Sequence, residues 1–353
     1  MLALMEEVLR EAFEVNCSDV FFKFGVTPTF RQYGKCLPTR YPVLDKAMCR
    51  ELAESVMTEK QKLKFEDHPE LDLSMELEGL CRFRVNVFKQ KGTYGMCLRL
   101  IPLGIKTLDD LGMPPVLKSM CMHKQGIVLL TGPTGSGKST TLAGMINHIN
   151  ENKQINIVTV EDPLEFVHPD KKSIVIQREV GQDTDSFGDA LRHVLRQAPD
   201  VILIGEMRDA ETFNIALQAG ETGHLVFSTL HTPSAYETLD RIANMFPPHD
   251  KPQIALRLAT SLKGVVSQKL VPRIDGGRIA ALEIMVVTPT VAKLLEDGKS
   301  GQIYPAIAEG GFYGMQTMNQ CLTRFHKAGI VSEEDAMQFA GNLTELRQML
   351  RRQ

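Results

Sequence analysis

Hydrophobic positions near the start of the chain follow a helical spacing. Leu2, Met5, Leu9 and Phe13 recur every three or four residues, which is typical of the buried face of an amphipathic helix. Short runs of alternating apolar and polar residues then predict strands, interrupted by one longer helical stretch. The predicted strands are 18–22, 29–33, 71–77, 81–88 and 94–100, and the helix is 45–65. These elements predict a small α+β domain, with an antiparallel hairpin that turns at residues 78–79.

Beyond residue 126, short β-branched runs alternate with helical stretches. The runs are 127–131, 155–160, 174–177, 201–204 and 225–228. Such alternation predicts an α/β domain with a mainly parallel, doubly wound sheet. After Val271-Pro272 the rhythm becomes irregular, and residues 318–352 indicate a helical tail interrupted by Gly329 and Gly341.

Chain length and proline positions divide the sequence. A chain of 353 residues is long for a single core. Ile101-Pro102-Leu103-Gly104 and Pro114-Pro115 mark a linker between the two patterns. The predicted regions are an N-terminal domain at 1–100, a linker at 101–115 and a second domain at 116–353.

Composition narrows the function classes. The net charge of −3 gives no basic field that would attract a phosphate backbone, so no nucleic-acid partner is expected. No apolar run approaches the roughly 20 residues that span a bilayer. Residues 1–10 lack the pattern of a signal peptide, so we expect a cytoplasmic protein. The seven cysteines form no C-x-x-C pair, which gives no support for a structural zinc site.

One motif indicates nucleotide chemistry in the second domain. Residues 132–139 read G-P-T-G-S-G-K-S, a complete G-x-x-x-x-G-K-[ST] phosphate loop between an apolar run and a helical stretch. Its glycines let backbone N–H groups surround phosphate oxygens, and the next helix directs its positive end at the same anion. Lys138 is predicted to reach the β- and γ-phosphates, and Ser139 to bind Mg²⁺. The predicted ATP-binding residues are Gly132, Thr134, Gly135, Ser136, Gly137, Lys138, Ser139 and Thr140.

Acidic residues follow two of the predicted strands. Glu206 ends the apolar run that begins after Asp200, and in phosphate-loop enzymes this position lies beside the nucleotide. Glu161 and Asp162 end another run, at the edge where α/β sheets bind ligands. These two acids could instead cap the segment that follows the strand. The loop and the acids predict NTP hydrolysis without indicating what the hydrolysis drives.

Longer motifs point to a family. Three of them together resemble the secretion ATPase superfamily: Val160-Glu-Asp-Pro-Leu-Glu-Phe166, Gly205-Glu-Met-Arg-Asp209 and Thr222-Gly-His-Leu-Val-Phe-Ser-Thr-Leu-His-Thr232. Three more are similar to the type IV pilus retraction ATPases, the PilT- and PilU-like family: Gln177-Arg-Glu-Val180, Leu195-Arg-Gln-Ala-Pro-Asp200 and Gly314-Met-Gln-Thr-Met318. The resemblance extends from about residue 18 to about residue 322.

The resemblance implies a PAS-like α+β N-terminal domain, a RecA-like ATPase domain and a hexameric ring with nucleotide between domains. Its implied catalytic residues are a Walker B glutamate, an acidic-box glutamate, two N-terminal-domain arginines and a histidine box: Glu206, Glu161, Arg84, Arg99, His231 and His224. Its implied metal-binding residues are Ser139, Asp162 and Glu165. Without the motif, His224 would be interpreted as a structural histidine and the arginines as solvated strand residues.

Partners and output are also implied by the resemblance. The family members are homohexameric ATPases that use ATP and Mg²⁺ at the cytoplasmic side of the inner membrane. They act on a PilC-like platform protein, disassemble pilins and drive twitching motility. A paralogous retraction ATPase is a further expected partner, and the lack of a tetracysteine motif favours the retraction class over the extension class.

One segment departs from the family pattern. Residues 290–299 read T-V-A-K-L-L-E-D-G-K where retraction ATPases usually carry A-I-R-N-L-I-R-E-G-K, so both arginines are replaced, by Ala292 and Glu296. Because that segment is tied to retraction output, an accessory ATPase that depends on another motor stays an alternative. A hexameric nucleic-acid motor is the alternative from another class, although it predicts stacking aromatics and the sequence has no Trp.

Overall fold

A computed structural model describes residues 2–77, 79–102 and 104–351, without the side chain of Pro102. The chain forms two compact units. The first comprises Met1–Gly104 and the short segment Pro163–Val167, and the second comprises Ile105–Asp162 and His168–Gln353. Each unit contains its own β-sheet, which confirms the predicted α/β class with two sheets.

The first unit is built around an antiparallel six-stranded sheet in the order β3-β2-β1-β6-β5-β4. Its strands are β1 (Asp19–Lys23), β2 (Thr29–Gln32), β3 (Lys35–Pro38), β4 (Glu70–Leu77), β5 (Cys81–Gln90) and β6 (Thr93–Pro102). Its helices are α1 (Ala3–Glu14), α2 (Lys46–Ser55) and α3 (Glu59–Asp67). Met5 and Leu9 of α1 are buried in the same core as Phe83 and Val85 of β5, so the predicted amphipathic helix is confirmed.

The first unit differs from the sequence-based expectation in two places. The single helix at 45–65 is two helices, because α3 has its own start signal. The Thr58 side chain accepts a hydrogen bond from the backbone N of Gln61, and the Gln61 side chain accepts one from the backbone N of Thr58. Strand β3 was not predicted, and all four of its residues are exposed, so it lacks the alternating apolar signal.

The second unit contains a seven-stranded sheet in the order β13-β12-β7-β11-β10-β8-β9. Its strands are β7 (Gly126–Thr131), β8 (Asn156–Glu161), β9 (Ile174–Glu179), β10 (Val201–Ile204), β11 (Leu225–Leu230), β12 (Leu262–Pro272) and β13 (Arg278–Val286). Neighbours from β12 to β9 pair in parallel, and β13 is antiparallel. The central strands are buried on both faces, which confirms the doubly wound prediction.

Eleven α-helices of the described residues belong to the second unit. They are α4 (Pro115–Cys121), α5 (Lys138–Asn152), α6 (Phe187–Val194), α7 (Ala210–Glu221), α8 (Ala235–Asn244), α9 (Lys251–Ser261), α10 (Pro289–Glu296), α11 (Ile303–Glu309), α12 (Met318–Lys327), α13 (Glu333–Gln338) and α14 (Leu343–Arg351). The breaks between the last three lie at the predicted positions. Within the described part of the chain, no helix is both long and apolar enough to cross a bilayer.

The long hairpin of β12 and β13 was not recognised in the sequence. Its interior carries polar residues such as Ser267, Gln268 and Glu283, all at most 4% exposed, and these interrupt an apolar strand pattern. Tertiary contacts satisfy them: the Ser267 and Thr131 hydroxyls lie 2.8 Å apart. This hairpin extends the sheet beside the phosphate loop, because β12 pairs directly with β7.

Candidate nucleotide-binding site

The phosphate loop connects the carboxyl end of β7 with the amino end of α5. Gly132 and Gly137 have φ angles of 139° and 85°, which side chains other than glycine rarely adopt. A Cβ at Gly132 would lie 2.3 Å from the backbone O of Gln268, and a Cβ at Gly137 would lie 2.9 Å from the side-chain Nε2 of Gln268. The motif glycines are therefore required both by backbone conformation and by close packing against β12.

Lys138 begins α5 and turns back over the loop. Its Nζ donates to the backbone O of Gly132 at 2.8 Å and to that of Pro133 at 3.0 Å. The side chain is largely buried, while residues 133–135, at the crest of the loop, are exposed. Ser136 is 3% exposed, and its hydroxyl has no hydrogen-bond partner among the described residues. The Lys138 ammonium thus lies over the loop at the positive end of α5, an arrangement that suits a phosphate.

The donor set fits magnesium held mainly by nucleotide. Within the described residues there is no group of three or more His, Cys, Asp or Glu side chains that could hold a metal ion. Mg²⁺ in phosphate-loop sites takes a hydroxyl from the protein and most other ligands from phosphates and water. Ser139 and Thr140 lie half-exposed in the first turn of α5. The Ser139 hydroxyl, directly after Lys138, suits that role.

Glu206 follows β10 and contacts two basic side chains. Its Oε2 lies 2.7 Å from Arg208 Nη2, and its Oε1 lies 3.4 Å from His231 Nε2. Partial burial raises the pKa of Glu206, but the hydrogen bond and charge of Arg208 and the charge of His231 outweigh it and leave the pKa below its ordinary value. The carboxylate is therefore ionised at neutral pH, as a group that orients water must be.

Glu161, the last residue of β8, and Asp162, the next residue, lie at the same edge of the sheet. Gly205 N donates to Val160 O at 2.8 Å, and a Cβ at Gly205 would lie 3.3 Å from the Cα of Glu161, so the ends of β8 and β10 adjoin. The charge of Asp162 contributes to the raised pKa of Arg208, after the larger effects of Glu206. Glu161, Asp162, Glu206 and the loop thus share the edge formed by the carboxyl ends of parallel strands.

Two predicted residues lie elsewhere. His224 precedes β11 at the amino end of the strand, where its backbone O accepts from Gly126 N and its Nδ1 lies 3.0 Å from Ala219 O. Strand β11 separates His224 from His231 within the subunit, and their joint role at the γ-phosphate stays a prediction. Glu165 lies in Pro163–Val167, which groups with the first unit rather than with Asp162.

Arg84 and Arg99 face each other in the sheet of the first unit. They form a directly opposed pair between β5 and β6, and both are exposed. Arg99 is opposite Asp19 of β1, and its Nε donates to Asp19 Oδ1 at 3.0 Å. Arg31 Nη1 lies 3.6 Å from the other oxygen of Asp19, whose side chain is only 4% exposed. A buried carboxylate thus orients two arginines on one face of the sheet.

Sequence reasoning missed three residues that shape these sites. Arg208 lies inside the motif at 205–209, and a cation two residues after the predicted catalytic glutamate is a signal that the sequence contains. Asp19 and Gln268 stand far from the residues that they contact, and only strand pairing reveals those contacts.

Comparisons with known proteins agree with this geometry. The profile of the family described as "Type II/IV secretion system protein" matches residues 2–277. The Pseudomonas aeruginosa protein named "Type IV pilus retractation ATPase PilT" is 45% identical over 334 residues, which covers 95% of this chain and 97% of that protein. "Type IV pilus ATPase PilU" of the same organism is 40% identical over 347 residues, which covers 98% of this chain and 91% of that protein.

A solved structure gives the same result. The crystal structure of the pilus retraction motor PilT with bound ADP matches with a TM-score of 0.92 at 43% identity, and covers 98% of this chain and 99% of that chain. The resemblance expected from the motifs is confirmed.

Proposed function

The chain belongs to the type II/IV secretion system protein family, and we propose that it is an ATPase that powers type IV pilus retraction. The observation that carries the proposal is the meeting of a complete phosphate loop and the Glu206–His231 pair at one edge of the second sheet. The similarity to PilT along almost the whole chain supports the same conclusion.

The residues have distinct tasks in the proposed reaction. Loop N–H groups and Lys138 bind the phosphates, and Lys138 exchanges its contacts with Gly132 and Pro133 for phosphate oxygens. Ser139, Asp162 and Glu165 are the residues that would hold Mg²⁺, and the ion would supply positive charge to the phosphates. Glu206, ionised under the influence of Arg208, orients the attacking water. His231, bonded to the same carboxylate, is placed to respond when the γ-phosphate leaves.

Mechanical output requires coupling between subunits. Head-to-tail contacts can close into a ring, and in the proposed homohexamer each contact holds one nucleotide. Arg84 and Arg99 supply positive charge to phosphates at that contact, so ATP favours a closed interface and its hydrolysis releases it. Sequential closure at the cytoplasmic face of the inner membrane would act on a PilC-like platform protein and remove pilins from the fibre.

A second candidate is an accessory ATPase that depends on a paralogous motor. The observation behind it is α10, where the two arginines of the family pattern are absent. Lys293 lies 3.1 Å from both Glu296 and Asp297, so these charges are paired within the helix, and Ala292 packs against the core. At positions 292 and 296, helix α10 therefore has no guanidinium group that could contact a partner protein.

Gene deletion separates the two candidates. Surface pili and twitching are scored in strains that lack this gene, its paralogue or both. An independent motor restores retraction when it is the only retraction ATPase present, whereas an accessory ATPase does not. Purified protein that fails to release phosphate from ATP in the presence of Mg²⁺ would contradict both candidates.

A further inference from the structure

Gln268 lies on β12 beside the phosphate loop but outside its motif. The side chain is 2% exposed and uses both ends of its amide. Its Nε2 donates to the backbone O of Ser136 at 2.7 Å, and its Oε1 accepts from the Thr141 hydroxyl at 2.9 Å. One amide therefore joins the loop, the first turns of α5 and the neighbouring strand.

Close packing adds to these hydrogen bonds. The backbone O of Gln268 lies 2.3 Å from the position of a Cβ at Gly132, and the Nε2 of Gln268 lies 2.9 Å from the position of a Cβ at Gly137. The glycines at the two ends of the loop thus both pack against Gln268. A change in the position of Gln268 would therefore displace both ends of the loop.

Peptide geometry explains why the contact to Ser136 matters. The carbonyl of Ser136 and the N–H of Gly137 belong to one planar trans peptide and point in opposite directions. A donor that fixes the carbonyl therefore turns the Gly137 N–H away from β12. Backbone N–H groups that point into the loop are the ones that bind phosphate oxygens.

We propose that Gln268 is a positioning residue, which holds the phosphate loop in its phosphate-binding shape before nucleotide arrives; this inference rests on the proposed ATPase function. Only a side chain with a donor and an acceptor at this distance satisfies Ser136 and Thr141 together. Leucine supplies neither, and an ionised glutamate places a second acceptor against the Ser136 carbonyl.

Nucleotide binding by the full-length protein tests the proposal. In Gln268→Leu, the dissociation constant for Mg-ADP should rise about tenfold, which corresponds to about 1.4 kcal/mol. The KM for ATP should rise by a similar factor, with a much smaller change in kcat. In Gln268→Glu, binding relative to wild type should be weak at pH 8 and recover as the pH is lowered, because a protonated carboxyl donates to the Ser136 carbonyl.

Gln316 provides a matched control. It is another buried glutamine of the second unit, and its Nε2 donates to Leu282 O at 2.9 Å while its Oε1 accepts from Arg324. Gln316→Leu should lose stability as Gln268→Leu does but bind Mg-ADP like wild type. If Gln268→Leu does not fold, Thr141→Val should weaken binding and Thr141→Ser should restore it.

Three results would overturn the proposal: Gln268→Leu binding Mg-ADP within twofold of wild type, Gln316→Leu weakening binding equally, or Thr141→Val binding normally. Failure of the wild-type protein to bind Mg-ADP would instead remove the proposed function on which the inference rests. Normal binding by wild type with no hydrolysis would contradict the proposed function alone.

Discussion

Glu206 contacts Arg208 with one carboxylate oxygen and His231 with the other. The position of Glu206 at the end of a strand is what predicts its proposed catalytic role, whereas its two partners depend on how the chain turns after β10 and where β11 ends. The pKa of this carboxyl is set by those neighbours. Residue-level predictions therefore concern both the acid and the groups that control it.

Substitution of Glu206 by Gln should lower kcat for ATP hydrolysis by at least about 100-fold, because the amide cannot serve as the base for the attacking water. Mg-ADP affinity should change little in this variant.

The Lys138→Ala variant should lose ATPase activity, and its affinity for Mg-ADP should fall about tenfold, since the substitution removes a charged phosphate ligand. Phosphate release and ADP titration measure these effects, with Glu211→Gln on the exposed face of α7 as the control. Wild-type hydrolysis by Glu206→Gln would contradict the assignment.

Replacement of Arg208 by Ala should move the pH dependence of hydrolysis. Arg208 lowers the pKa of Glu206, so its removal raises that pKa, and Glu206 then stays protonated up to a higher pH. The acidic limb of the kcat/KM profile should shift toward higher pH. Arg208→Lys, which retains the charge, should shift it less. An unchanged limb in both variants would show that Arg208 does not control this carboxylate.

At the scale of elements, cross-strand register decides which charges meet. Asp19 of β1 is aligned with Arg31 of β2 on one side and with Arg99 of β6 on the other. Arg84 continues the same row on β5. Residues directly opposite in an antiparallel sheet lie close enough to interact, so Arg31, Asp19, Arg99 and Arg84 form one cross-strand row, which we call the arginine row.

Asp19→Asn should destabilise the protein by about 1–3 kcal/mol, because it removes a charged hydrogen-bond acceptor that is buried between two guanidinium groups. The corresponding change at Asp72, which is exposed on β4 and bonds only to the amide of Asn86 among the described residues, should cost less than about 0.5 kcal/mol. Urea unfolding of the full-length variants measures both. Equal losses would mean that the ion pairs of Asp19 contribute nothing beyond a surface contact.

His168, in the segment between β8 and β9, should make stability depend on pH. Burial, with a smaller contribution from the charge of Lys171, lowers its pKa from 6.5 to about 4. Between these values the unfolded chain binds a proton that the folded chain does not, so stability falls as the pH is lowered. The slope from this residue is at most about 1.4 kcal/mol per pH unit. Unfolding of His168→Gln between pH 7 and pH 4 should show a shallower decline than wild type; equal slopes would contradict the prediction.

Element prediction succeeded where one physical signal dominated. The parallel strands were readable because burial on both faces produces continuous apolar runs. The helix at 45–65 was wrong because a capping box at Thr58 outweighed a continuous helical composition. The hairpin of β12 and β13 was missed because its buried polar residues find partners only in tertiary structure. Because this hairpin was not predicted, the role proposed for Gln268, which lies on β12, could not be predicted either.

At the scale of the whole molecule, the chain divides into a unit that carries the arginine row and a unit that carries the phosphate loop. The proposed ring joins such units from neighbouring subunits around each nucleotide. A site shared between subunits has a property that a self-contained site lacks: two differently inactivated subunits can complement each other.

Co-expression of Arg99→Ala and Glu206→Gln subunits should therefore recover activity. Each variant alone is expected to be inactive. In a mixed ring, about a quarter of the contacts combine an intact Arg99 with an intact Glu206 from the adjacent subunit. Hydrolysis by doubly tagged rings measures the recovery. Activity no higher than that of either variant alone would indicate that Arg99 does not act on a neighbour's nucleotide.

Local spacing and contiguous motifs were enough to predict one sheet in each unit, the phosphate loop, the acids at strand ends and the family, although three of the strands were missed. The contacts of Gln268 with the loop, of Asp19 with Arg99 and of Arg208 with Glu206 became evident only in the folded chain. The fold also separated His224 from His231. These relations join residues distant in sequence or set by a turn, and strand order, register and burial fix them rather than any local pattern.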